Sequence, residues 1–380
     1  MRNIRVRSPP AVLADSCHRK RRRVACLILG ACVYGTGTFA ASAPAIVATA
    51  PRDWSDMPLW AYGVASPPHA GDRGKPQSPF GRSLDLTLDR DEQFKPLHVG
   101  GSRRTYTLLD LSDWHNPADW FPDEHVPLPN VVAHGPASLG EDSCACAYCH
   151  KVTGGGRPDN APVAGLPVTY LLRQLDDFRH GRRSSSDPRK SNSLTMIALA
   201  EAISREEALA AANYYAAQTG GPTLRVIETD RVPPAHLHGN RFVASGKERT
   251  ESLVGRILEV AVDPRQSEQL DNPHFGYIAY VPRGSIARGR RLVTNSSNDP
   301  AVFMCASCHG PNLRGLADVP PIAGRSPSYL ARELYDFKTG ARNGTQAAQM
   351  QAVVARLTTA QITDIAAYLA TLPRVAADPR

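Results

Sequence analysis

A C-x-x-C-H motif at residues 146–150 constrains this chain more than any other feature, and a second copy lies at residues 305–309. Cysteines three positions apart lie on one helical turn, so Cys146 and Cys149 can each add to a vinyl group of the same porphyrin. His150 then lies where its imidazole can bind the iron from one face. This spacing is typical of a covalent c-type haem site. A zinc site would need four nitrogen or sulfur ligands, usually in two closely spaced pairs, and neither copy has a second cysteine pair.

The second copy belongs to an internal repeat. The offset of 159 residues that relates Cys146 to Cys305 also relates the segment 170–178 to the segment 329–337, and farther on an offset of 154 relates Met196 to Met350. Duplication of one haem-binding unit explains this repeat. The sequence therefore predicts two covalently bound haem c groups. Their expected protein ligands are Cys146, Cys149 and the iron-binding His150 in the first copy, and Cys305, Cys308 and the iron-binding His309 in the second.

The sixth iron ligand decides the chemistry of such a site. Met196 and Met350 are the only methionines that follow their C-x-x-C-H motif within the same repeat, whereas Met304 directly precedes Cys305 and cannot easily reach the opposite haem face. A single methionine more often fills a core than binds a metal, but two at matching places favour ligation. We therefore expect Met196 and Met350 as axial ligands, each in a loop that precedes a capped final helix. Ligation by histidine and methionine raises the haem potential relative to ligation by two histidines.

The amino-terminal segment, residues 1–43, has the pattern of an export signal. Basic residues 19–23 precede an uncharged run over residues 24–50. Three outcomes fit: cleavage after residue 43, retention as a membrane anchor, or attachment of a lipid to Cys32 in a lipobox-like sequence. Each outcome delivers the remaining chain to the periplasm.

The same segment carries almost all of the excess positive charge. The formal net charge is +8, and residues 1–43 hold eight basic residues and one acidic residue, so the rest of the chain carries +1. The basic balance therefore gives no reason to expect nucleic-acid binding.

One cysteine is left over. Cys17, Cys26 and Cys32 lie in the export segment and four cysteines belong to the two motifs, so Cys144 has no assigned role. A longer-spaced pairing of Cys144 with Cys149 remains open. We favour Cys146 and expect Cys144 to be a spare thiol near the haem edge.

The rest of the sequence divides into segments of different character. Residues 44–135 form an irregular extension, with alternating strand-like stretches at 83–88 and 104–109, which we expect to cover the first haem unit. Helical patterns fill residues 136–221 and 285–380, with caps at Ser204, Ser326 and Thr358. Between them, residues 222–284 contain three β-branched runs, at 224–229, 256–262 and 277–281, which predict a small β-containing insert.

The two helical units resemble class I cytochrome c domains, and the tandem resembles the periplasmic dihaem cytochromes of the c-four type. The matching pieces are C-x-x-C-H, Pro-x-Ala-Gly, Asp-Phe-x-x-Gly and a methionine before a final helix with a tyrosine, and they cover residues 144–218 and 303–373. The resemblance implies a mainly α fold, with two such domains in tandem separated by the insert. It also implies that the carbonyls of Pro162 and Pro321 accept hydrogen bonds from the proximal imidazoles.

These observations predict a periplasmic electron carrier rather than an enzyme, because two six-coordinate irons leave no open position for a substrate. Its partners would be a redox donor and a redox acceptor, such as a periplasmic dehydrogenase and a terminal oxidase. One alternative is a dihaem enzyme, such as a peroxidase or a thiosulfate-oxidising cytochrome, in which Met196 or Met350 is displaced. Another is the cytochrome subunit of a periplasmic dehydrogenase. The sequence does not name the donor or the acceptor.

Overall fold

A computed structural model describes residues 54–75, 90–221, 224–245, 249–295 and 304–374 of the 380-residue chain. All of these residues belong to one compact unit, Ala50–Arg380. The export segment at residues 1–43 and the strand expected at 83–88 lie outside the described residues. Within the described ranges, no helix combines the length and apolar character needed to cross a bilayer.

The described part of the chain is mainly helical. Short helices in the amino-terminal part are α1 (Leu59–Tyr62), α2 (Arg90–Phe94), α3 (Leu108–Leu111) and α4 (Asn130–His134). The first repeat forms α5 (Cys146–His150), α6 (Val168–Arg179), α7 (Ser191–Ala202) and α8 (Arg205–Ala216). The second repeat forms α9 (Ser285–Thr294), α10 (Ala306–His309), α11 (Pro327–Lys338), α12 (Ala347–Val354) and α13 (Thr359–Thr371).

The strands lie between the two groups of helices. They are β1 (Leu224–Glu228), β2 (Arg231–Val232), β3 (Ala235–His238), β4 (Arg241–Ala244), β5 (Glu251–Ser252), β6 (Leu258–Ala261) and β7 (Tyr277–Val281). The main sheet has the order β1-β7-β6, with β7 parallel to β1 and antiparallel to β6, and β2–β5 and β3–β4 form two antiparallel pairs. Ala279 and Val281 of β7 belong to the same buried apolar cluster as Ile362 and Ala366 of α13, so the sheet packs against the second repeat.

The helix starts follow the expected capping chemistry. The hydroxyl of Ser204 accepts from the backbone N–H of Glu207, whose carboxylate accepts from the Ser204 N–H, and Thr358 forms the same reciprocal pair with Gln361. The hydroxyl of Ser326 caps α11. These local hydrogen bonds satisfy backbone donors that an open helix end would leave unpaired.

The first and last helices of the second repeat cross at close range. At Gly289 of α9, an added Cβ atom would lie 1.9 Å from the carbonyl oxygen of Asp364 in α13, so only glycine fits this crossing. On the same crossing, the guanidinium of Arg288 donates to both carboxylate oxygens of Asp364, at 2.8 and 2.9 Å. In the first repeat the five-residue helix α4 packs against α5 and α8.

The two repeats meet through equivalent residues. The backbone N–H of Ser184 donates to the carbonyl of Ala341 at 2.9 Å, and that of Asn343 donates to the carbonyl of Arg182 at 2.7 Å. The repeat offset of 159 relates Ser184 to Asn343 and Arg182 to Ala341, so the two hydrogen bonds are equivalent. The repeats are therefore related by a local pseudo-two-fold axis at this contact.

The extension differs from its expected form in two ways. Residues 104–109 do not form a strand, because Thr107 caps the helical turn α3 in a reciprocal pair with Asp110. The extension also does not cover the first haem unit alone. The hydroxyl of Tyr62 donates to Asp336 of α11 at 2.6 Å, while the indole of Trp54 donates to the Ser186 carbonyl at 3.2 Å. The segment 54–75 thus binds to both repeats.

Candidate functional site

Each C-x-x-C-H motif forms one wall of a cavity. The first cavity has an empty volume of about 1450 Å³ including its open mouth, and Cys146, Cys149, His150 and Met196 line it. The second has an empty volume of about 1710 Å³ on the same measure. The corresponding residues Cys305, Cys308, His309 and Met350 line this second cavity. All eight residues expected to bind haem or iron are therefore divided between two cavities as the repeat predicts.

The two histidines are held in the same way. The Nδ1–H of His150 donates to the carbonyl oxygen of Ala161 at 2.8 Å, and the Nδ1–H of His309 donates to that of Pro320 at 2.8 Å. Burial lowers the pKa of both imidazoles, although these hydrogen bonds act in the opposite direction. Each ring is therefore neutral, with the Nε2 lone pair free to bind a metal.

The expectation that Pro162 and Pro321 supply these carbonyls is wrong by one residue. Both proline carbonyls instead accept from the guanidinium of Arg325, at 2.6 Å for Pro162 and 3.2 Å for Pro321. Arg325 was not singled out from the sequence, because its counterpart in the first repeat is an apolar leucine.

The methionines lie on helices rather than in loops. Met196 is in the middle of α7 and Met350 is in the middle of α12, and both side chains are half-buried. A helical position fixes the direction of the side chain more firmly than a loop would. Met304 also lines the second cavity, but its side chain is 52% exposed.

The first cysteine of each motif is a protonated thiol at neutral pH, whereas a side-chain hydrogen bond with Cys144 lowers the pKa of Cys149. Burial raises the pKa of Cys146 to about 12 and that of Cys305 to about 11. Cys144 is buried and lines the first cavity beside Cys146 and Cys149. This position agrees with a spare thiol near the haem edge and also with the longer-spaced pairing to Cys149.

The two cavities are direct neighbours. Five residues line both of them: Leu166, Tyr170, Gln174, Tyr329 and Glu333. Gln174 and Glu333 occupy equivalent places in the two repeats, and so do Tyr170 and Tyr329. Groups bound in the two cavities would therefore be separated by little more than one layer of side chains.

A ring of four polar residues forms the centre of this shared wall. The Gln174 side-chain oxygen accepts from Arg183 at 2.9 Å and from Arg342 at 2.7 Å. The Glu333 carboxylate accepts from the same two guanidiniums, at 3.0 and 2.6 Å. The arginines are also equivalent in the repeat, so the ring follows the pseudo-two-fold axis. The repeat identified these pairs as equivalent but gave no sign that they contact one another.

The first motif is covered by other parts of the chain. The ring of Trp114 stacks on that of Tyr148 with 4.8 Å between centroids, and Asp271 pairs with Lys151 and Arg157 at 2.8 Å each. The second motif has less cover. Ser307 and Leu316, which stand where the first repeat has Tyr148 and Arg157, are exposed, as is Cys308.

The donor set in each cavity fits a covalently bound haem. Two thiols one helical turn apart, a neutral imidazole and a thioether are the groups that attach a porphyrin and bind its iron. Lys190 also lines the first cavity, and its ammonium is buried and has no hydrogen-bond partner within the described residues. A haem brings carboxylates that could pair with such a charge.

Comparison with known proteins supports this assignment. Residues 286–373 match the family model for cytochrome c. Cytochrome c-554(548) of Halomonas halodenitrificans is 34% identical over 74 residues, which are 19% of this chain and 89% of the relative. The thiosulfate dehydrogenase electron acceptor of Thiomonas intermedia is 24% identical over 287 residues, covering 74% of this chain and 94% of the relative. Cytochrome c4 of Stutzerimonas stutzeri is 24% identical over 250 residues, covering 62% and 89%.

The match to a relative at 34% identity over most of its length establishes the family, and the longer matches agree with the c-four resemblance inferred from the motifs. The predicted family is therefore confirmed. This chain belongs to the class I cytochromes c of the c4-like kind, which hold haem c covalently and take part in electron transfer.

Proposed function

We propose that this protein is a dihaem electron carrier, with one haem c in each cavity and both irons bound by histidine and methionine. The observation that carries the proposal is the shared wall: equivalent haem-binding cavities lie side by side and have five lining residues in common. This arrangement supports transfer of an electron from one haem to the other within the chain. In this proposal, residues 136–221 and 285–380 are the two cytochrome domains, residues 44–135 are the extension and residues 222–284 are the β-containing insert.

The protein residues have distinct parts in this function. Haem supplies an iron that alternates between the ferrous and ferric states. The carbonyls of Ala161 and Pro320 fix the orientation of the two imidazoles, so that Nε2 points away from the hydrogen bond. The thioethers of Met196 and Met350 would bind the two irons and favour their ferrous state. An iron bound by both a histidine and a methionine would have no free position for a substrate, which suits a carrier.

Electron exchange with other proteins would use mainly the second haem. Its motif is the more exposed of the two, since Cys308, Ser307 and Leu316 are open while the first motif lies beneath Trp114. A redox partner could approach closely on this side without displacing any described part of the chain. The first haem would then exchange electrons through the shared wall.

The similarity to a thiosulfate dehydrogenase electron acceptor favours a second, compatible candidate. The chain would serve as the cytochrome partner of a periplasmic dehydrogenase and pass its electrons to a later acceptor. The extension and the insert would then be available to bind the catalytic chain. We place the protein in the periplasm, either soluble after cleavage of the export segment or tethered by it.

The number of haems and the attachment of the first one can be tested together. The mass of the denatured protein should equal the polypeptide plus two haems, because each cavity has its own thiol pair. Cys144→Ser should keep both haems, whereas Cys146→Ser should impair thioether formation at the first site. Denaturing mass spectrometry and release of haem by acid acetone measure this. Loss of haem in Cys144→Ser but not in Cys146→Ser would assign the attachment to Cys144.

The carrier function can be separated from an enzymatic one by adding cyanide to the oxidised protein. Two irons closed by methionine should bind cyanide slowly, and both should show the weak near-infrared sulfur-to-iron band. Visible absorption over time gives the binding rate. Rapid binding at either iron, or turnover of peroxide at the rate of an enzyme, would instead support a dihaem enzyme.

A further inference from the structure

A buried amine, that of Lys190, belongs to a residue that lines the first cavity, and haem attachment and iron ligation do not use it. Lys190 immediately precedes α7, the helix that carries Met196, and only 4% of its surface is exposed. Its Nζ atom has no hydrogen-bond partner among the described residues, and the residue lines the same cavity as His150. A buried ammonium without a partner is costly, so this position calls for an anion.

None of the carboxylates around Lys190 forms an ion pair with it within the described residues. Three of them lie close enough to influence its charge, and Arg332 adds a further positive charge. Asp187 pairs with Arg189 at 2.7 Å, and Asp336 accepts from Tyr62 at 2.6 Å. Asp159 lies 3.6 Å from Arg241, and its Oδ1 atom has no hydrogen-bond partner within the described residues. Within the described residues, the ammonium therefore has nearby carboxylates but no direct ion pair or hydrogen bond.

We infer that Lys190 binds a carboxylate of the haem in the first cavity and thereby raises the potential of that haem. The inference rests on the proposed function, because it requires a haem at this place. Burial, with Arg332 as a further cause, lowers the pKa of Lys190 to about 7 before any such anion is bound. A carboxylate beside it would favour the ammonium form.

The second cavity has no lysine at the equivalent position. Counted back from the methionine, the position of Lys190 corresponds to Gly344, which lines the second cavity. An added Cβ atom at Gly344 would lie 2.0 Å from a carboxylate oxygen of Asp177, so a larger side chain there would require the Asp177 side chain to move. The ammonium therefore distinguishes the two haems, which otherwise have the same set of protein ligands.

The test is redox titration of the complete holoprotein after Lys190→Met, a neutral substitution of similar length. Without the ammonium, the haem carboxylate keeps its full negative charge, which favours ferric iron in the first haem. At a fixed solution potential, the ferric-to-ferrous ratio of that haem should rise about tenfold, which is about 59 mV for a one-electron couple. The second haem should not change. Lys190→Arg should retain most of the effect, and Lys95→Met, which removes an exposed lysine paired with Glu92, should change neither haem.

The outcomes separate this inference from the proposed function. The wild type could have two methionine-bound haems while Lys190→Met leaves both haem potentials unchanged. Lys190 then does not bind the haem carboxylate, and the proposed carrier function is unaffected. If Lys190→Met creates a sulfur-to-iron band that the wild type lacks, Lys190 is itself an iron ligand and the inference is wrong. Absence of a haem from the first cavity would overturn both proposals.

Discussion

Replacing Met196 with histidine should lower the potential of the first haem by a large fraction of a volt and leave the second haem unchanged. An imidazole in the sixth position stabilises ferric iron more than a thioether does, and axial ligands shift haem potentials over a range of about 0.8 V. Because Met196 lines the cavity that contains His150, the effect should be confined to that site. Met350→His should produce the same effect at the second haem.

Two measurements check this prediction. Spectroelectrochemical titration gives both potentials, and each single variant should lose half of the near-infrared sulfur-to-iron band. Met304→His is the matched control, because Met304 lines the second cavity but directly precedes Cys305. If Met304→His lowers a potential while Met350→His does not, the ligand of the second haem is Met304 instead.

The features that could be predicted from the sequence are those that depend on nearby residues. Ser204 and Thr358 cap their helices through residues three positions away, so a short pattern is enough to find them. The repeat likewise assigned Met196 and Met350 to separate cavities with His150 and His309. The caps can be found from a few neighbouring residues, and the methionines can be found by aligning the two repeats.

The features that were missed depend on packing between distant segments. The choice of Ala161 and Pro320 over the prolines that follow them depends on Arg325, which reaches from one repeat to the other. The contact of Tyr62 with Asp336 joins residues that are 274 positions apart. No local sequence pattern predicts such pairs, because each residue taken alone is an ordinary polar or aromatic side chain.

The contact between the repeats is the clearest example. The offset of 159 showed that Arg183 and Arg342 are equivalent, but it could not show that they meet across a pseudo-two-fold axis. Two arginines placed together need a shared anion. The sequence difference that supplies it is Glu333 in the place where the first repeat has Gln174.

Removal of that anion should strongly destabilise the protein. Burial raises the pKa of Glu333, but the guanidiniums of Arg183 and Arg342 outweigh it and hold the pKa below its usual range. Glu333→Gln keeps the size of the side chain and removes the charge, which leaves two buried guanidiniums without a counterion. The loss of one partner from a buried ion pair typically costs about 3–5 kcal/mol. We expect a decrease of that size in the free energy of unfolding of the holoprotein, measured by denaturant titration.

The symmetry of the ring supplies the matched control. Gln174 accepts from both arginines, as Glu333 does, so Gln174→Glu added to Glu333→Gln returns one carboxylate to the ring at the equivalent place. The double variant should recover most of the lost stability, because both guanidiniums again contact a carboxylate. A loss below about 1 kcal/mol in Glu333→Gln, the range of an exposed pair, would show that another anion neutralises these arginines. Failure of Gln174→Glu to restore stability would show that the two sides of the ring are not equivalent. Recovery would show that one carboxylate, supplied by either repeat, is enough to neutralise the two arginines.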